Sequence, residues 1–215
     1  MSKSNEFGYI PEAPEQSFGN NKGIFNPKDI YDLTRADKYT NYGQLELIET
    51  QTASGNPSSI DFSSIDESTY NVHLVTMNNW LHSDTSQMGI RFYESGVVET
   101  SSVYQTAYQR GAADGNFGEA TSTGLNMITI NSGVSTGTNR TRNGYFYVYN
   151  AGDNSKYTFI TQHTSVIDNG GDFNMSFGSG VLPQTSQVNG IRILGYTSGT
   201  FTQGSFSLYG IKEYS

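Results

Sequence analysis

The proline distribution divides this chain into two parts that cannot fold alike. Four of the five prolines lie within the first 57 residues, and the fifth, Pro183, follows a long proline-free stretch. Proline cannot donate the backbone hydrogen bond that a central strand requires, so the proline-free stretch is compatible with an uninterrupted sheet. From about residue 44 the apolar residues recur at every second position, as in Tyr70, Val72 and Leu74. This period is typical of half-buried strands and predicts an all-β domain.

Nine strands are predicted where this alternation is bounded by clusters of Gly, Asn and Asp. They lie near residues 44–50, 70–77, 87–94, 103–109, 125–131, 144–150, 156–163, 187–194 and 204–212. The 15 tyrosines, 12 phenylalanines and 24 glycines favour strands and turns over helices. Because no internal repeat is present, we expect an antiparallel β-sandwich with a jelly-roll-like arrangement over residues 51–215.

Residues 1–50 predict an extended N-terminal arm that contains one short helical turn over residues 27–33. Asn26 precedes Pro27 and Asp29, and this order of cap residue, proline and acid is typical of a helix start. Apolar residues recur along the arm, whereas a solvated linker would lack them. We therefore expect the arm to anchor the chain on a neighbour. The candidate anchoring residues are Phe18, Ile24, Phe25, Ile30, Tyr31 and Leu33.

Charge and composition narrow the expected partners. The formal net charge of −8 argues against nucleic acid, because phosphate contacts require a basic face. The lack of cysteine removes disulfides and thiolate metal sites from consideration. No apolar run approaches the roughly 18 residues of a membrane helix, and the first residues lack the apolar segment of a secretory signal. We therefore expect synthesis in a cytosol, with neither a membrane nor a nucleic acid as partner.

Three patterns resemble catalytic or metal-binding motifs, and none carries an assignment. Residues 133–137 match the nucleophile elbow, but a polar loop follows them where that motif requires a helix. The three histidines lack the spacing of zinc ligands, and His73 is predicted on the outer face of its strand. Residues 168–174 offer oxygen ligands to Ca²⁺, although Asp, Asn and Gly are also the common residues of turns. We expect no enzymatic activity and no cofactor, with calcium at 168–174 left open.

The only tryptophan, Trp80, is predicted in a polar loop between two strands. There it would stack on a sugar ring with His82 as a hydrogen-bonding neighbour. The other interpretation is a lid over one end of the sandwich or a contact between subunits. Both residues are therefore candidates for an interface or a glycan surface.

Tyr145, Tyr147 and Tyr149 alternate with Phe146 and Val148 in the most aromatic strand of the chain. Because side chains alternate across a strand, the three tyrosines are predicted together on an outer face. Such a row suits packing against a second sheet, a symmetry mate or the arm. A carbohydrate surface is the alternative.

Several segments share their pattern with a known module. In the predicted sandwich they are residues 65–72, 88–92, 103–108, 144–150, 187–193 and 201–211, and in the arm residues 21–33. These segments resemble a β-sandwich module of virion proteins from tailed bacteriophages, especially marine and cyanobacterial phages. The resemblance implies a non-enzymatic virion protein, either a head decoration or cement subunit or a tail accessory subunit, bound to the major coat protein or to tail proteins. A homotrimer is expected. The alternative is a module of a tail fibre that binds a host glycan or receptor.

Overall fold

The computed structural model describes residues 15–17, 20–22, 27–35, 44–85, 87–130 and 136–212. Two compact units divide the chain, with the boundary between Gln44 and Leu45. Residues 45–50 are thus part of the second unit, although the predicted arm extended to residue 50.

The described residues of the first unit form two short antiparallel strands and a helix. Strands β1 (Glu15–Ser17) and β2 (Asn20–Lys22) pair with each other, and helix α1 spans Pro27–Arg35. The predicted helical turn is confirmed, with proline at the first position and Asp29 in the first turn. Lys28 and Asp32 form an ion pair one turn apart on its exposed surface.

The described residues of the second unit form thirteen strands. They are β3 (Leu45–Thr52), β4 (Ser59–Phe62), β5 (Val72–His82), β6 (Met88–Glu94), β7 (Val97–Val98), β8 (Tyr104–Ala112), β9 (Phe117–Leu125), β10 (Ile128–Thr129), β11 (Arg142–Tyr149), β12 (Thr158–Ile167), β13 (Phe173–Leu182), β14 (Val188–Gly195) and β15 (Phe201–Ile211). Each predicted strand overlaps one of these. Strands β4, β7, β9 and β13 were not predicted, because their segments are short or rich in Gly, Ser and Thr.

The strands form two antiparallel sheets of unequal size. The large sheet has eight strands in the order β3-β15-β5-β11-β12-β13-β8-β9. The small sheet has the order β10-β6-β14-β4, with β7 paired to β6. The predicted antiparallel β-sandwich is confirmed.

The hydrophobic core lies between the two sheets. The large sheet contributes residues such as Val75, Phe146 and Ile160, and the small sheet contributes residues such as Ile90 and Ile193. All five are inaccessible to solvent. Since the small sheet covers a single face of the large sheet, alternate residues of the large sheet are left on an outer face.

His73 contradicts the prediction that it lies on an outer face. In β5 it alternates with Val75 and Met77 on the core side, where its side chain is fully buried. Its Nε2 lies 2.5 Å from the carbonyl oxygen of Ile65. The pattern misled because β5 is central in the large sheet, so that Leu74 on the opposite face is buried as well.

Substituting Phe146 and its neighbour Tyr145 should separate the two faces of β11. Phe146→Ala should lower the free energy of unfolding by about 3–5 kcal/mol, because it leaves a cavity in the core. Tyr145→Ala on the outer face should cost about 1 kcal/mol or less, since it removes only contacts along the sheet surface. Urea titrations followed by Trp80 fluorescence measure both values. Equal losses would contradict this assignment of faces.

Candidate interaction surface

Trp80 and His82 do not form a surface in the structure, contrary to the prediction. Both lie within β5, and both side chains are buried. The register of β5 against β11 shifts there, since one residue of β11 between Arg142 and Gly144 opposes two residues of β5 between Trp80 and Met77. Asn79 sits in this bulge with a φ of 51°. A bulge rotates the residues that follow it, and this rotation turns Trp80 into the core.

The buried Trp80 closes one end of the sandwich. The guanidinium carbon of Arg142 lies 4.4 Å from the centre of the Trp80 ring, a cation–π distance. The Phe201 ring contacts Trp80 at 6.1 Å and His82 at 5.2 Å, both edge to face. Gly204, with a φ of 137°, brings the backbone of β15 against the same tryptophan. Of the two interpretations of Trp80, these contacts fit the lid.

Gly204 should tolerate no side chain, because an added Cβ would lie 2.6 Å from the Cβ of Trp80. Gly204→Ala should therefore lower the free energy of unfolding well beyond the roughly 1–2 kcal/mol of left-handed backbone strain, and should change the Trp80 emission. Gly96→Ala is the matched control, since Gly96 has a φ of 81° and open space around it. Comparable losses for both variants in urea titrations would argue against tight packing at Trp80.

The two imidazoles in the core make stability depend on pH. Burial lowers the pKa of His73 and of His82 below its ordinary value. Each therefore remains neutral in the folded chain at a pH where the unfolded chain already binds a proton. This contribution to stability is complete above the unfolded pKa of about 6.5 and is lost as the pH falls below it.

We expect the free energy of unfolding to decrease from pH 7.5 to pH 5.5 and the decrease to be smaller in His73→Gln, which removes one of the two groups. Urea titrations at several pH values in this interval measure it. Val75→Ala, which removes no titrating group from the same strand, is the control and should keep the full dependence. An unchanged dependence in His73→Gln would contradict the role of its burial.

Tyr145, Tyr147 and Tyr149 lie together on the outer face of the large sheet, as predicted, opposite the buried Phe146 and Val148. Their rings form a continuous row, with centroid distances of 5.8 Å between the first two and 6.3 Å between the last two. The Tyr149 hydroxyl lies 3.1 Å from the Thr161 hydroxyl of β12. We call this row the tyrosine ridge.

The aromatic surface continues from the ridge across the neighbouring strands. His163 pairs with Tyr145 and then with Phe177 in register, and Phe159 pairs with Tyr149. A depression of about 370 Å³ lies among the ridge, His163 and Phe177. Phe159 and Phe177 were not predicted as part of a site. The alternation in residues 156–163 could have indicated Phe159, whereas Phe177 lies in β13, whose glycines concealed the strand.

A second, larger depression lies beside the ridge on the same face, with a volume of about 590 Å³. Its floor is made of small residues that lie side by side in register on three strands: Thr121 of β9, Ala107 of β8 and Ser179 of β13. Phe159 and Val181 line its side toward the ridge. We call this depression the trough. The ridge and the trough therefore lie on the same face of the large sheet, with β12 between them.

The outer face of the large sheet is almost uncharged. The structure describes all eight strands completely, and among their outward-facing residues Glu119 of β9 is the one Asp, Glu, Lys or Arg. Seven large apolar side chains are exposed on this face: Leu45, Leu47, Phe117, Tyr145, Phe159, Phe173 and Phe177. In a chain of net charge −8, acidic groups are thus concentrated elsewhere. A neutral apolar surface of this extent is typical of a binding interface.

The half-buried acid Asp61 is occupied by partners within the small sheet. It forms an ion pair with Arg192 at 2.5 Å and accepts hydrogen bonds from the hydroxyls of Tyr93 and Ser59 at 2.6 Å each. Although burial acts in the opposite direction, these bonds keep the pKa of Asp61 below its ordinary value. This carboxylate thus joins β4 to β14 within the small sheet.

The Asp168–Asn174 loop satisfies its first carboxylate internally. Asp168 accepts bonds from the backbone N–H of Asp172 at 3.1 Å and from the Asn174 amide at 2.9 Å, and its pKa is lowered by the backbone bond. Arg140 donates to two carbonyl groups of the loop. These contacts fit a turn. Among the described residues no cluster of three His, Asp or Glu is arranged to hold a metal.

Two sequence candidates fall wholly or partly outside the described residues. The elbow-like segment 133–137 is described only from Thr136 onward. Of the anchoring candidates, Phe18, Ile24 and Phe25 lie outside. On α1, Ile30 and Leu33 are half-buried and Tyr31 is exposed, with Arg35 over its ring at 5.7 Å. No helix in the described ranges has both the length and the apolar character to span a membrane.

No family model matches the sequence, no curated protein matches it, and no solved structure matches the fold.

Proposed function

We propose that this chain is a non-enzymatic structural protein of a tailed-phage virion, a head decoration or tail accessory subunit. Residues 1–44 anchor it to the coat protein or to tail proteins, and the sandwich packs against neighbouring subunits. The observation that supports an assembly role most directly is the neutral, aromatic outer face of the large sheet. Removing such an apolar face from water is favourable in free energy, and this requires another protein surface to cover it.

The geometry of the sandwich supports a structural role in a second way. The polar groups that most resemble catalytic candidates are engaged within the fold: Asp61 with Arg192, His73 with Ile65, and Asp168 with its own loop. The segments that carry the resemblance to virion modules coincide with framework strands such as β6, β11 and β15. The likeness therefore concerns the strands of the sandwich framework.

Quantitative mass spectrometry of purified particles of the encoding phage tests the proposal. The chain should be present, at a copy number near that of the coat protein for a head decoration or at a low multiple for a tail subunit. A variant lacking residues 1–43 should retain β-rich circular dichroism, because the sandwich begins at Leu45, yet should be lost from particles. Absence of the full chain from particles would overturn the proposal. Incorporation of the truncated chain would transfer the anchoring role to the sandwich.

Glycan binding is the second candidate, now at the tyrosine ridge and no longer at Trp80. The depression of about 370 Å³ combines tyrosine rings with the polar groups of Thr161 and His163. Sugar rings stack on aromatic faces while neighbouring polar groups bind their hydroxyls. A glycan array probed with the full chain and with Tyr145→Ala tests it. Binding that requires Tyr145 would support this function, and no binding by the full chain would exclude it for the sugars present.

A further inference from the structure

We infer that the outer face of the large sheet binds a second copy of this chain, face to face about a two-fold axis. The inference builds on the proposed assembly role and names the partner for that face. It replaces the trimer expected from the sequence with a two-fold pair. Three properties of the face carry it: its lack of charge, its apolar area and the adjacency of ridge and trough.

The lack of charge permits self-association at this face. Two copies that each carry a net charge of −8 repel one another, and like charges buried face to face cost several kcal/mol. A pairing surface must therefore be poor in carboxylates. Across the eight strands of the large sheet, Glu119 is the one outward carboxylate, and it lies on the edge strand β9. Within the described sandwich, this face thus places the least charge opposite itself.

The apolar area is of the size that a stable pair requires. Tyr145, Phe159, Phe173 and Phe177 are between 42% and 45% exposed, and Phe117 is 80% exposed. With about 200 Å² for a fully exposed aromatic side chain, these five present about 500 Å². A standard interface of roughly 800 Å² per partner is a little more than half apolar, which is roughly 450 Å², and the five side chains supply this apolar area.

The ridge and the trough make the face complementary to itself. Tyr147, Thr161, Ser179 and Ala107 follow in register across β11, β12, β13 and β8. At about 4.8 Å between strands, the ridge and the centre of the trough are about 10–15 Å apart. A two-fold axis parallel to the strands, between β12 and β13, places each ridge over the trough of the other copy. A two-fold interface requires such a patch, which contacts its own counterpart.

This arrangement is also compatible with the known packing of sheets. A two-fold axis along the strands keeps the strand directions of both copies nearly aligned, as in aligned sheet packing at a spacing of about 10 Å. The bulky tyrosines of one copy then fill the space that Ala107, Thr121 and Ser179 leave open in the other. The pair would have the layer order small sheet, large sheet, large sheet, small sheet.

Light scattering coupled to size-exclusion chromatography tests the inference on the full chain at micromolar concentration. The chain should elute with twice its mass of 23.6 kDa. Tyr147→Glu in the ridge and Ser179→Lys in the trough should each give a monomer, because each buries an unpaired charge at the interface. Mixing the two variants should restore the double mass, since ridge Glu then meets trough Lys. Val97→Glu, at a 70% exposed site on β7 of the small sheet, is the matched control and should remain paired.

Each other outcome overturns the pairing. A full chain that is monomeric, or that has three times the monomer mass, excludes it. A pair that survives both Tyr147→Glu and Ser179→Lys, with unchanged urea midpoints, associates through another surface. A monomer that binds glycans in a Tyr145-dependent manner assigns the face to sugars. None of these results removes the chain from phage particles, so the mass spectrometry of virions remains an independent test of the proposed function.

Discussion

The burial of only one face of the large sheet is the constraint on which the rest of the structure depends. Eight strands face a smaller sheet, and the residues between them, such as Phe146 and Ile160, are fully buried. Burial of this shared layer provides the main favourable term for the fold. Because side chains alternate along a strand, the same packing presents every intervening residue of the large sheet on the outer face.

The inner and outer faces of the large sheet carry different kinds of side chain. Inside, the Trp80 and Phe201 rings with the Arg142 guanidinium fill one end of the sandwich and take polar groups out of water. Outside, the tyrosine ridge remains exposed beside a floor of small residues, where a globular protein without a partner would place charges. The proposed assembly role and the proposed two-fold pair both follow from this second feature.

Much of the sandwich could be predicted from alternation, and the errors have identifiable physical causes. The ridge was predicted because Tyr145 to Tyr149 alternate without interruption against core residues. Trp80 was misplaced because the Asn78–Asn79 pair has the composition of a turn, whereas in the sheet it forms a bulge that keeps β5 continuous to His82. Strand β13 was missed because Gly178 and Gly180 weaken the alternation of apolar residues. Both glycines are required in the structure, because neighbouring strands approach them too closely for a side chain.

The sequence by itself determined the all-β class, the helix start at Pro27, the alternation that separates core from surface and the acidic net charge, because these depend on local geometry and composition. Only the tertiary structure decided which surfaces are covered. Strand order brings Phe159, Phe177 and the tyrosine ridge together from different hairpins, and it aligns Ala107 with Ser179 and Thr121 in the trough. Such contacts join residues far apart in the chain, and a local pattern contains no information about which strands become neighbours.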